Sequence, residues 1–256
     1  MAFPAAAFHD LQGRGVLISG GGSGIGAALV EAFARQGARV AFIDIAEAES
    51  RALAERLAND CAFAPVFLRA DLRDARSLAG IVDQAAAAIG DIRVLVNNAA
   101  RDDRQRIEDV TPESWDENLS INLRPVFFLA QAVAPHMKRA GGGSIVNFSS
   151  IAYLLNMGEI PAYATAKAGI VGLTKSLAGR LGPDDIRVNA ILPGMVVTER
   201  QKQLWLTDAA IAAMRDKQCL KHTLIADDMV GPCLYLASDC SARMTAQTMI
   251  IDGGVL

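Results

Sequence analysis

Short apolar runs along the chain alternate with longer stretches in which apolar residues recur every three or four positions. Val16–Ser19 is such a run and ends in a glycine cluster. From Ile25 to Gln36, residues Ile25, Leu29, Ala32 and Phe33 share one helical face, and Gly37 stops the helix. Arg39–Ile45 predicts a second strand and Ala46–Ala58 a second helix. Ala64–Ala70 predicts a third strand, and Asp74–Ala88 a third helix with Asp74 near its cap. Val94–Asn97 predicts a fourth strand.

A long helical pattern follows. Thr111-Pro112 sets a capping residue before a proline at the first helical position. The pattern runs to about Arg139, and Pro125 and Pro135 are expected to remove hydrogen bonds or kink it. Ser144–Ser149 predicts a fifth strand, Ala162–Leu181 a helix, Arg187–Leu192 a sixth strand and Thr248–Ile251 a seventh. Helical period returns at Asp208–Lys217 and Ala226–Ala237. Strands that alternate with helices and are apolar almost throughout predict a parallel sheet covered on both faces. With no linker or repeat in the sequence, one doubly wound α/β domain over 1–256 is expected.

Composition narrows the classes. The 256 residues are 52% hydrophobic with a net charge of −3. A disordered chain would be far less apolar. A nucleic-acid partner would call for a basic excess that is missing. The mean hydropathy of +0.25 raises the membrane question. No window reaches the ~20 uninterrupted apolar residues of a spanning helix, so no membrane partner is expected. Cys61, Cys219, Cys233 and Cys240 form no CxxC pair, and no metal site is expected. Free thiols suit a reducing cytoplasm. The first residues carry neither a basic region nor a sustained apolar core, so no signal peptide is expected.

Ser19-Gly20-Gly21-Gly22-Ser23-Gly24-Ile25-Gly26 joins the first strand to the first helix. Such a turn lets backbone approach a pyrophosphate, and the helix N-terminus offers free N–H donors. Asp44 ends the second strand 18 residues past Gly26. A carboxylate there can accept from ribose hydroxyls and would repel a 2′-phosphate; the next residue is Ile45, not Arg. NAD is therefore expected over NADP. The competing reading is that Asp44 only caps the following helix.

Tyr163 and Lys167 are spaced i, i+4 on one helical face. A phenol titrates near about 10, and a neighbouring ammonium favours the phenolate. That makes the pair a candidate acid/base, although the same spacing more often marks plain surface. Ser150 stands just past the fifth strand, where a hydroxyl can bond a substrate oxygen beside the phenol. Ser149 competes with it but should point differently. Asn97-Asn98-Ala99 ends the fourth strand at the same edge, and Asn122 lies on the following helix.

Taken together, these motifs resemble the short-chain dehydrogenase/reductase family over essentially the whole chain. They are the glycine turn, Asp71, Asn97-Asn98-Ala99, Asn122, Ser150, Tyr163-xxx-Lys167, Pro193-Gly194 and Asp252-Gly253-Gly254. The resemblance implies a catalytic tetrad of Asn122, Ser150, Tyr163 and Lys167. In it Tyr163 is the acid/base, Ser150 holds the substrate oxygen, Lys167 lowers the tyrosine pKa and holds the nicotinamide ribose, and Asn122 keeps a water in the proton relay. It also implies cofactor contacts from Gly20, Ser23, Gly24, Ile25, Gly26, Asp44 and Ile45. Asp71 and Leu72 are expected at adenine, Asn98 and Ala99 beside the ribose, and Pro193, Val196 and Thr198 at the nicotinamide. A homotetramer is the family expectation.

Substrate choice should come from loops near 100–106, 151–161 and 195–220. The residues expected there are Asp103, Asn156, Glu159, Arg200 and Trp205, with Ser150 and Tyr163. Several such polar groups suit the hydroxyls of a sugar, though many loop charges are simply solvated. The stretches 97–104, 200–205 and 218–220 resemble the aldose 1-dehydrogenase branch, xylose and galactose types. That implies oxidation of an anomeric hydroxyl to a lactone. The alternatives are another small secondary alcohol or ketone (polyol, sugar acid, 3-oxoacyl thioester) or a catalytically idle nucleotide sensor.

Overall fold

The computed structural model describes residues 6–204 and 206–256. Seven strands form one parallel sheet: β1 Gly15–Ser19, β2 Arg39–Asp44, β3 Val66–Arg69, β4 Ile92–Asn97, β5 Gly143–Phe148, β6 Ile186–Pro193 and β7 Thr248–Ile251. Their spatial order is β3-β2-β1-β4-β5-β6-β7. The chain winds outward from β1 to β3 and then crosses back to β4 on the other side of β1. The crevice at that reversal is where a doubly wound sheet binds ligands.

Side chains alternate across the sheet. Val16, Ile18, Phe42, Val96 and Val146 pack on one face against α1 (Gly24–Arg35), α2 (Glu47–Ala58) and α9 (Val230–Ala237). Leu17, Ile43, Leu95 and Ile145 pack on the other against α3 (Leu78–Ile89), α5 (Arg124–Arg139) and α6 (Pro161–Leu181). Both faces are dry, which explains why the strands read as unbroken apolar runs. Among the described residues no helix is long and apolar enough to cross a membrane.

Four expectations change. The third helix begins at Leu78, not Asp74. Asp71 accepts from Arg73 N–H, Asp74 accepts from Arg76 N–H, and Ser77 Oγ donates to the Asp74 carbonyl. Short polar side chains there compete with helical hydrogen bonding. The third strand shrinks to Val66–Arg69, an edge strand entered just after Pro65. The long helix breaks before Pro125 rather than at it. Helix α4 (Pro112–Asn122) ends at Asn122, Leu123 adopts φ −123° and ψ −50°, and Pro125 sits in the first turn of α5, where its missing N–H has no partner to lose. Pro135 stays inside α5. Finally, Ala226–Ala237 divides into a 3₁₀ turn and α9, and past β6 the helix expected at Asp208–Lys217 is present as α8 but is preceded by a further helix, α7 (Glu199–Leu204), where loop was expected.

One buried polar chain ties the centre of the sheet to α6. Asn97 Nδ2 donates to Asn147 Oδ1 (2.9 Å), Asn147 Nδ2 donates to Thr174 Oγ1 (3.0 Å), and Thr174 Oγ1 donates to the Ile170 carbonyl (2.8 Å). Asn97 and Asn147 are register partners at the carboxyl ends of β4 and β5. Asn147→Ala strands the buried Asn97 Nδ2 and removes the donor to Thr174 Oγ1, and should cost about 2–3 kcal/mol in urea unfolding. An unchanged midpoint would show that the chain holds nothing together.

Candidate active site

The β1–α1 turn is built by close backbone approach. Gly20 has φ +68°, and a Cβ on it would lie 2.7 Å from Ala99 Cα. A Cβ on Gly26 would overlap the Gly20 carbonyl oxygen. Asn98 Nδ2 donates to that same oxygen (2.9 Å), while Ser19 Oγ accepts from the N–H groups of Asn98 and Ala99 (3.2 and 3.3 Å). Asn98 and Ala99 thus belong to the wall of the turn. Ser23 is the extended N-cap of α1 and makes no side-chain cap bond; Ile25 and Gly26 follow in the first turn, which carries no acid. Open N–H donors without a competing carboxylate suit a pyrophosphate.

Asp44 Oδ2 accepts from Gly22 N–H (2.7 Å) and Oδ1 from Ala46 N–H (2.9 Å). Its carboxylate therefore braces the turn and holds the backbone at Ala46, the residue just ahead of α2. About two of its four lone-pair positions stay open to ribose hydroxyls. Ile45 beside it is exposed. Asp71 is gripped by the Arg73 guanidinium, which holds its carboxyl below the usual range. Leu72 packs into the core on the α3 side. Across the crevice Pro193 ends β6, Val196 bridges to Leu224, and a Cβ on Gly24 would touch the Thr198 methyl at 3.4 Å. These groups fit an extended dinucleotide.

Helix α6 presents Tyr163 and Lys167 one turn apart at the edge of the crevice. Lys167 is 1% exposed, donates to the Phe148 carbonyl (2.9 Å) and lies 5.3 Å from the Tyr163 ring centroid. Burial pushes its ammonium down to about 8. Burial also drives the Tyr163 phenol well above its ordinary value, the Asp102 carboxylate raises it further, and the Ser150 hydroxyl opposes the rise. The lowering expected from Lys167 is not found here. The ammonium is committed to Phe148 and sits over the ring, while desolvation acts on the hydroxyl directly.

Ser149 and Ser150 part company at the end of β5. Ser149 Oγ donates to the Lys167 carbonyl (2.7 Å) and is buried. Ser150 Oγ accepts from Ala152 N–H (3.1 Å) and opens onto the cavity with Tyr163. Asn122 is fully buried. Its Oδ1 accepts from Arg101 N–H (2.8 Å), and its Nδ2 donates to the Arg101 carbonyl (3.0 Å) and to Asn118. Its side chain therefore clamps the loop after β4 rather than facing the crevice.

The cavity, about 110 Å³, is lined by Ser150 and Tyr163 together with Asp102, Arg104 and Gln201. Ile151, Leu155, Met157, Ile160, Met195 and Met214 line the rest, so it is more apolar than the loop sequences suggest. Several expected residues fall elsewhere. Asp103 pairs with Arg101, outside the lining. Glu159 holds Arg104 at 2.7 Å from the rim. Asn156 and Arg200 are exposed and do not line the cavity. Trp205 lies outside the described residues. From the stretches 101–104 and 199–201 it is Asp102, Arg104 and Gln201 that line the cavity, and Met195, which the sequence did not single out, joins them. The signal for Asp102 was available: in an extended loop alternate residues face opposite sides, so 102 and 104 share one side and 101 and 103 the other. Among the described residues no His, Cys, Asp or Glu cluster could hold a metal ion.

A family model described as enoyl-(acyl carrier protein) reductase matches residues 20–256. The chain is 70% identical over 255 residues to a protein from Rhizobium meliloti (strain 1021) named probable galactose dehydrogenase, with all of both chains covered. It is 46% identical over 250 residues to a D-xylose 1-dehydrogenase from Caulobacter vibrioides, covering 98% of each. Among solved structures it is similar to a putative short-chain alcohol dehydrogenase from Sinorhizobium meliloti 1021. There the TM-score is 0.91 at 31% identity, with 97% of this chain and 98% of that chain covered.

The geometry of the turn can be tested directly. Gly26→Ala must push the Gly20 carbonyl aside, so dinucleotide affinity by calorimetry should fall at least about tenfold while the far-ultraviolet spectrum is kept. Unaltered affinity would remove the turn from the binding site.

Proposed function

Since the chain belongs to the short-chain dehydrogenase/reductase family, it is an oxidoreductase acting on CH–OH groups, and we propose that it oxidises the anomeric hydroxyl of a cyclic aldose to a lactone with NAD. The observation that carries this reading is the convergence of the Ser150 and Tyr163 hydroxyls on a cavity that also holds Asp102, Arg104 and Gln201. The printed names of the full-length relatives, galactose and D-xylose 1-dehydrogenase, support it.

The bound nicotinamide supplies the hydride acceptor. The protein handles position and the proton. Ser150 Oγ bonds the anomeric oxygen and orients it toward Tyr163. The deprotonated Tyr163 Oη takes the hydroxyl proton as the C–H hydride leaves, and the C–O single bond becomes the lactone carbonyl. Lys167 carries its positive charge beside the ring and faces the nicotinamide ribose. Asn122 acts through the loop, holding the Arg101 peptide so that residues 102–104 keep their place on the cavity wall. Asp44, with Ile45 in place of a cation, favours NAD over NADP.

A second reading, oxidation of another small secondary alcohol or reduction of a small ketone, draws on the apolar part of the lining. A homotetramer and a cytoplasmic location accompany the family reading. An apolar hollow between α5 and α6, lined by Leu123, Phe127, Phe128 and Leu173, supports contact with another copy.

In an aldose panel, wild type should form NADH with galactose or xylose, and Tyr163→Phe should lower kcat by about 10²–10⁴-fold. Silence on every sugar with turnover of a simpler alcohol would select the second reading. Asp44→Ala should narrow the preference for NAD over NADP; equal discrimination in both would take the 2′-phosphate test away from Asp44.

The pH profile has a defined sign. Burial and Asp102 raise the phenol, so near neutrality Tyr163 holds its proton. Oxidation needs it removed, and kcat/KM for oxidation should climb between about pH 7 and 9 while the reverse reduction, which uses the protonated phenol, stays level over the same range. A flat oxidation profile over that range would contradict Tyr163 as the titrating base.

A further inference from the structure

The loop after β4 carries two acids and two arginines in four positions, and their pairing is unequal. The Arg101 guanidinium is engaged by Asp103 and by Glu117 (3.2 Å). Arg104 is engaged by Glu159 (2.7 Å). Asp102 is left without an arginine among the described residues, although it is flanked by arginines in sequence. A solvated loop carboxylate would take the nearest guanidinium. This one instead lines the cavity that holds Ser150 and Tyr163.

Its setting is fixed from two sides. Asn122 clamps the preceding peptide through both Arg101 N–H and carbonyl. Gln201 Oε1 accepts from Thr198 N–H and Oγ1 (3.2 Å each), which leaves Gln201 Nε2 to donate to Asp102 Oδ2 at a long 3.5 Å. A carboxylate offers about four acceptor positions and no donor, so most of its capacity points into the cavity unused. It also lies near enough to Tyr163 and Lys167 for its charge to favour the protonated form of both.

We propose that Asp102 is the specificity-determining acceptor of this site, binding a sugar hydroxyl next to the carbon being oxidised. The inference rests on the aldose reading and refines it. Ser150 and Tyr163 take the reacting hydroxyl, and Asp102 takes the proton-donating side of a neighbouring one. A monohydroxy alcohol leaves the carboxylate facing a desolvated cavity without a donor. A site built around such a hydrogen bond rejects the substrate that lacks it. The selection is thus for polyhydroxylated substrates, and it comes from the one loop acid whose arginine neighbours are occupied.

The test compares wild type with Asp102→Asn, which keeps volume and shape. The preferred aldose and its single-deoxy analogues are assayed for kcat/KM, and dinucleotide Kd and thermal melting are measured on both proteins. Asp102→Asn should lose about 10- to 100-fold on the parent aldose, the range of a hydrogen bond to a charged group. One deoxy sugar should lose a similar factor with wild type and nothing further with the variant, the non-additivity of a direct contact. Equal losses on every sugar, or no loss on the parent, would overturn the proposal. So would a variant that no longer binds dinucleotide, since Asp102 would then be part of the scaffold. If wild type oxidises no aldose, it is the aldose reading that fails. Asp102 is then judged by the same comparison between the polyol that is oxidised and its deoxy forms.

Discussion

Everything at the carboxyl edge of the sheet depends on how closely two backbones approach at Gly20. The β1–α1 turn lies so near Ala99 that a side chain at Gly20 has no room, and Asn98 fastens the turn by its carbonyl oxygen. That contact joins the first half of the fold to the second at the point where strand order reverses. From Ala99 the chain runs on to Arg101, which Asn122 holds, and then to Asp102 in the cavity wall. The glycine turn and the cavity loop are therefore joined by one backbone contact and one short run of chain. A shift at the glycines is transmitted to the residues facing the substrate.

The second organising constraint is desolvation around α6. Lys167 is a buried ammonium whose hydrogen bond in the structure runs to a strand carbonyl. Burial makes its charge less secure and the Tyr163 proton more so. An acid/base pair under these conditions responds strongly to whatever ligand dipoles and charges enter the crevice. The resting arrangement favours a protonated phenol, so proton removal there would need a counter-bias from outside the chain. Ser150 is the one nearby group already acting in that direction.

The sheet was legible in the sequence because each strand is apolar on both faces and each helix repeats at three and four. Boundaries went astray where side chains rather than periodicity decide them, as at Asp71–Ser77. The glycine turn, Asp44, Ser150, Tyr163 and Lys167 could be placed because their neighbours along the chain fix their direction. The substrate wall could not. Asp103 and Asp102 are the same residue type one position apart, and which one faces inward depends on Asn122 and Glu117, residues folded in from α4. Arg200 and Gln201 are adjacent on α7, and which of the two meets the cavity depends on how that helix sits. The direction of the Tyr163 shift is not legible from its i, i+4 spacing to Lys167, since burial cannot be weighed without knowing what surrounds the group.

Asn122 grips a peptide, not a side chain. Its amide meets Arg101 N–H and carbonyl just as a neighbouring strand would, supplying a single rung of ladder to a segment that has left the sheet. Such a rung is blind to sequence. The residues beyond it can be exchanged without loosening the anchor, so a library randomised at 102–106 would vary what the cavity wall offers while the dinucleotide half stays as it is. In this architecture, tolerance to new substrates begins one residue past a backbone clamp.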